Sequence, residues 1–186
     1  VSCASCHNPS QGFSDGLGRS AGIHGQLGSR SAPSLWNSAF LKDFFWDARS
    51  QSLEEQALSP LFSPQEMGNN PSQLLSSLRA VEAYPKLFKQ AFPDTKDLSL
   101  DQIATALAAF QSSLISLNSR YDQYAHGYGE ALNAQEIEGL NIFRSFVARC
   151  SQCHMPPLFT NQQIAVIGSP EPEGMPRDIG AEKTFD

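Results

Sequence analysis

Apolar residues recur along this chain at helical spacing, and no stretch sustains the two-residue alternation of a strand. Residues 99–118 carry the clearest stripe, with Ile103, Leu107, Phe110, Leu114 and Leu117 on one face. Ser99 stands three residues before Gln102, the arrangement of a capping box, so a helix starts there. A second helix is expected from Ala134 to Arg149, capped by Asn133 and Glu136. Glu136 and Glu138 suit its start and Arg144 and Arg149 its end, as the helix dipole favours. Ile137, Leu140, Phe143 and Val147 would face inward. Shorter helices are expected at 51–58, 72–84 and 85–91, separated by Pro60, Pro64, Pro71, Pro85 and Pro93. Residues 8–35 are rich in glycine and without a period, so they read as a loop wrapped over something. The pattern as a whole predicts an all-α protein.

Tyr128-Gly129 is the best break in this pattern. It divides the chain into an N-terminal domain, 1–128, and the opening of a second, 129–186, which lacks a closing helix. The chain reads as a piece of a longer protein. A net charge of −6 and a pI near 5.2, with no basic run, argue against nucleic acid as a partner. No stretch of 18 apolar residues is present, so nothing in this sequence predicts a membrane-spanning helix.

Chemistry is concentrated in one pentapeptide that occurs twice, Cys3-Ala4-Ser5-Cys6-His7 and Cys150-Ser151-Gln152-Cys153-His154. All four cysteines of the chain lie in it. Cys-x-x-Cys-His is the attachment signature of c-type haem: the thiols add across the porphyrin vinyl groups, and the adjoining imidazole becomes the proximal ligand. A thioredoxin-like pair would need a βαβ context, which is missing. A zinc site built from both pairs would leave the following histidine unexplained each time. Two covalent haems are therefore expected. The pentapeptides are the one repeat that the sequence displays; their flanks do not match.

Other residues carry weaker signals. His24, between Gly22 and Gly25, sits in a loop that could fold back over a haem face, although a lone loop histidine is more often solvent-exposed. His126 reads as a surface or C-cap residue. Met67, Met155 and Met175 are the candidate methionine ligands. Met155 adjoins His154 and cannot reach the opposite face of the same haem, Met67 reads as packing, and Met175 lies in a Pro/Gly-rich tail. Trp46, in Phe44-Phe45-Trp46-Asp47, reads by default as core, and Glu66 as a loop carboxylate.

The order of segments says more than any one of them. SCASCHNPSQGFSDG, IHGQLGSRSAPSLWN, FFWDARSQSLEEQALSP, SPQEMGNNP and CSQCH together resemble the bacterial dihaem cytochrome c peroxidase family, including its MauG-type relatives. The resemblance covers nearly the whole chain. It implies a periplasmic enzyme with two cytochrome-c-like domains, the second incomplete here. By position, it implies that the haem on Cys3, Cys6 and His7 is peroxidatic, with His24 its displaceable distal ligand and Glu66 the acid–base carboxylate. Trp46 would relay electrons between the haems. The haem on Cys150, Cys153 and His154 would receive them from a small cytochrome c or cupredoxin. The second haem's distal ligand, methionine or tyrosine by branch, lies beyond this chain. The family also tends to carry an asparagine near position 31 that helps bind calcium; Ser31 stands here, which weakens the case for that ion. A homodimer is among the expectations.

The functional readings are then three: a hydrogen-peroxide reductase, a MauG-like oxidase of a protein or other substrate, and a dihaem electron carrier without catalysis.

Overall fold

A computed structural model describes residues 1–165, 173–174 and 180–181. Met175 lies outside the described residues. The described residues are helical, and their only β-type pairing is three isolated bridges. Seven α-helices follow one another: α1 (Cys3–Cys6), α2 (Leu53–Phe62), α3 (Pro71–Ala80), α4 (Ala83–Ala91), α5 (Leu100–Ser113), α6 (Arg120–Ala125) and α7 (Ala134–Arg144). Both expected capping boxes are present, Ser99 with Gln102 on α5 and Asn133 with Glu136 on α7.

Three expectations need correction. The first concerns Pro60, which lies inside α2 instead of ending it. Leu53, Ala57 and Leu61 recur at four-residue spacing and are all buried, so the apolar face continues past the proline. That burial offsets the backbone hydrogen bond the proline removes. Pro85 likewise sits in the first turn of α4, where an N–H has no intrahelical partner to lose.

The second correction is the inward face of α5. Ile103 is buried, but Phe110 is 55% exposed, and Ala104, Ala108 and Gln111 are buried in place of the larger stripe. Alanines at 104 and 108 let α2 approach closely, and Phe44, Leu53 and Ala108 form the core between them. The helix also ends at Ser113, leaving Leu114 and Leu117 off its surface.

The third is α7, which ends at Arg144 because Ser145 turns extended at φ −67°, ψ 152°. Val147 therefore leaves the inward stripe and is 93% exposed, while Ile137, Leu140 and Phe143 stay half-buried.

The chain forms two compact units. One holds Val1–Leu114 with the described residues of Ile179–Asp186, and the other holds the described residues of Ile115–Asp178. This division falls ahead of Tyr128-Gly129 for a local reason. Arg120 donates to the Ala131 carbonyl at 2.9 Å and pairs with Glu136, which ties α6 to the start of α7. No helix among the described residues is long and apolar enough to cross a membrane.

Candidate functional site

In the first unit, α1 delivers Cys3, Cys6 and His7 into a tight loop. The His7 Nδ1–H donates to the Phe13 carbonyl at 3.0 Å. A carbonyl can only accept, so Nδ1 carries the proton and Nε2 keeps its lone pair for a metal. In the second unit, His154 Nδ1 meets the Phe159 carbonyl at 3.2 Å. None of the four cysteines is in a disulfide. Two thiols and one imidazole with a vacant Nε2 are the donor set that a c-type haem requires, and both motifs present it. The acceptor residues Phe13 and Phe159 drew no attention in the sequence, because backbone carbonyls leave no side-chain signature.

Around the first motif, the structure brings together two segments that lie far apart in sequence. His24 occupies a 3-10 turn, Ile23–Gly25, with His24 itself left-handed at φ 56°. The turn is closed by Gly22 N–H on the Gln26 carbonyl at 2.7 Å. Glu66 follows α2 in a second turn, where Glu66 N–H and Gly68 N–H both donate to the Ser63 carbonyl, at 3.1 and 2.8 Å. The two turns are joined by Ile23 N–H, which donates to the Glu66 carbonyl at 2.7 Å. Contact is so close that a Cβ on Gly22 would stand 1.9 Å from the Gln65 carbonyl oxygen.

The Cys6 Sγ lies 4.0 Å from the Ala21 carbonyl, at the edge of the His24 turn. Burial, with the negative charges of Asp15 and Glu66 nearby, pushes the Cys6 thiol up from its ordinary range. The Glu66 side chain is half-buried and His24 is exposed.

Trp46 is not core: it is 61% exposed, and the buried aromatic of its cluster is Phe44. Its loop is closed by Phe44 N–H on the Ser50 carbonyl at 2.8 Å, with Phe45 and Ala48 both left-handed. The indole N–H donates to the Ser31 carbonyl at 3.0 Å. Asp47 beside it receives Arg30 at 2.9 Å and Arg49 at 2.6 Å, and the Arg49 guanidinium lies 3.5 Å above the Phe45 ring centroid. Burial pushes the Asp47 carboxyl up, but hydrogen bonds from Arg49 and Arg30 outweigh it and hold the group below the usual carboxylate range.

A carboxyl with a lowered folded pKa contributes stability that is complete above its unfolded value, about pH 4, and is lost as pH falls through the folded value. Asp47→Asn should therefore flatten the acid side of the thermal unfolding profile. An acid profile identical to that of the unsubstituted protein would remove Asp47 from that account.

Two other residues resolve simply. His126 caps α6, its Nδ1 on the Asp122 carbonyl at 2.7 Å. Met67 is half-buried, with its N–H on the Pro60 carbonyl at 3.2 Å.

A helical fold carrying two such cysteine–histidine sites defines a dihaem c-type cytochrome. Residues 1–130 match the profile of the family described as di-haem cytochrome c peroxidase. The chain is 38% identical over 168 residues to the methylamine utilization protein MauG of Methylorubrum extorquens, covering 90% of this chain and 47% of that protein. It is 34% identical over 168 residues to the cytochrome c551 peroxidase of Nitrosomonas europaea, covering 90% of this chain and 49% of that one.

Among solved structures, a MauG-like protein associated with microbial copper homeostasis matches with a TM-score of 0.78 at 33% identity, covering 89% of this chain and 50% of the other. The diheme peroxidase BthA of Burkholderia thailandensis matches with a TM-score of 0.72 at 27% identity, covering 83% and 44%. The chain belongs to the dihaem cytochrome c peroxidase and MauG family, whose members carry two covalently bound c-type haems. It spans about half the length of the curated relatives it matches.

Proposed function

We propose that this protein reduces hydrogen peroxide to two waters in the periplasm, using electrons from a small cytochrome c or cupredoxin. The observation that carries this reading is the hydrogen bond from Ile23 N–H to the Glu66 carbonyl, which holds the His24 turn and the Glu66 turn together beside Cys6.

In this reading Cys3, Cys6 and His7 hold the peroxidatic haem, and Cys150, Cys153 and His154 hold the haem at which electrons enter. Haem iron supplies an open coordination position for peroxide and the electrons that break its O–O bond. The chain's own residues do the rest. His24 would cover the haem face at which peroxide binds and would have to swing away, a loop switch that its left-handed turn and the flanking Gly22 and Gly25 accommodate. Glu66 takes the proton from one peroxide oxygen and returns it to the other, so that the second leaves as water. Trp46, held by the Ser31 carbonyl, passes electrons toward the first haem. Two electrons and two protons per peroxide balance the reaction.

The haem-loaded protein, given a reduced small cytochrome c and hydrogen peroxide, is expected to oxidise two donors per peroxide consumed. Donor oxidation that does not depend on peroxide would overturn the reading in favour of an electron carrier. A second reading, a MauG-like oxidase, draws on the comparable identity to relatives named MauG and peroxidase. Peroxide-driven oxidation of a protein substrate, without turnover of a small donor, would select it.

A further inference from the structure

The two motifs share more than their pentapeptides. Phe13-Ser14-Asp15 follows His7, and Phe159-Thr160-Asn161 follows His154 with one fewer residue intervening. That slip hides the match from a reading at fixed spacing; in the folded chain the two segments are the same turn. Both phenylalanines are left-handed, at φ 58° and 56°. Both offer their carbonyl to the motif histidine, at 3.0 and 3.2 Å.

The next residue's hydroxyl accepts an N–H two positions on, from Gly16 at 3.4 Å to Ser14 and from Gln162 at 3.0 Å to Thr160. The Asp or Asn after it does the same, accepting Leu17 N–H and Gln163 N–H at 3.0 Å each. Each phenylalanine ring also packs edge-on against an aromatic from elsewhere in its own unit. Phe13 meets Trp36 at 5.2 Å and 81°, and Phe159 meets Tyr121 at 4.9 Å and 73°.

A left-handed phenylalanine is unfavourable by itself, so both must be held in place. The hydroxyl and Asx turns fix the chain after it, and the ring contact fixes the residue. We infer that Phe13 and Phe159 are matching positioning residues: each aims its own carbonyl at the Nδ1 of His7 or His154, and so sets how strongly that imidazole donates to its haem iron. The inference rests on the reading of those histidines as proximal ligands.

A carbonyl that draws on the Nδ1 proton enriches Nε2, favours oxidised iron and lowers the haem potential. The His7 bond is the shorter and is part-buried, where low local dielectric strengthens it; the His154 bond is exposed. On this ground the N-terminal haem has the more electron-rich ligand.

Spectroelectrochemical titration of the haem-loaded protein resolves the two potentials. In Phe13→Ala the N-terminal haem should move upward and the C-terminal haem stay put; in Phe159→Ala the haem that moves should switch. Phe13→Tyr keeps the ring edge and should restore the original value. Trp36→Leu removes the ring's partner and leaves Phe13 in place; it should give the same upward shift, and so carries the test if Phe13→Ala does not fold. Unchanged potentials in Trp36→Leu, with both haems bound, overturn the positioning role. If instead His7→Gly leaves the N-terminal haem's spectrum and potential as they were, it is the ligand reading beneath the proposal that falls.

Discussion

Glu66→Gln is expected to lower peroxide turnover by at least about 10²-fold while both haems stay attached. The expectation separates the side chain from the backbone of the same residue. The structural bonds at position 66 are made by the main chain: its N–H on the Ser63 carbonyl at 3.1 Å and its carbonyl under Ile23 N–H at 2.7 Å. Glutamine keeps both and nearly keeps the shape of the side chain. What it loses is the ability to take up a proton at one moment and release it at the next. Thermal stability and haem content should therefore match the unsubstituted protein, with the loss falling on turnover. A variant that turns over peroxide at the original rate would eliminate Glu66 as the acid–base group.

Gly22→Ala should have the other large effect, and through the opposite cause. Nothing about position 22 is chemically reactive, and its φ is an ordinary negative one, −91°. The constraint is space. A methyl group there would stand 1.9 Å from the Gln65 carbonyl oxygen and 2.8 Å from the Glu66 Cα, both backbone atoms that no rotamer change can move aside. The His24 turn must lift off the Glu66 turn, and the Ile23-to-Glu66 hydrogen bond breaks.

Overpacking of this kind costs about 1–3 kcal/mol. Peroxide turnover should fall as well, because the Glu66 turn loses the Ile23 bond that fixes its place beside Cys6. Unfolding by denaturant gives the first quantity and the peroxide assay the second. An unchanged midpoint together with full activity would show that the two turns need not touch.

The parts of this protein that could be read from its sequence are those determined within a few residues. Capping boxes at Ser99 and Asn133 are local hydrogen-bond arrangements, and both are present. So are the haem motifs, whose thiols and imidazole must be adjacent to grip one porphyrin. The face of α5 was not legible, because Phe110 and Leu107 outrank alanine in hydrophobicity. The buried side was chosen by how near α2 could come. Pro60 in α2 shows the same priority: a residue that breaks isolated helices is carried by the burial of Leu61 beyond it.

The candidate site divides in the same way. His24, Glu66 and Trp46 were reached through the order of motifs, and their own chemistry would not have singled them out. Their arrangement rests on bonds between residues distant in sequence: Ile23 with Glu66, Trp46 with Ser31, Asp47 with Arg30. Two of these use a backbone carbonyl as acceptor, and every residue has one.

By itself, then, the sequence determined the chemistry available: two sets of thiols and imidazole, a loop histidine and a loop carboxylate. It also determined where most helices begin. Only the tertiary structure decided which carbonyl each motif histidine faces, and that the turns after His7 and His154 are alike. It alone set the His24 turn against Glu66. The physical reason is that caps and covalent motifs are settled by neighbours along the chain, whereas close approach depends on what the rest of the fold brings alongside.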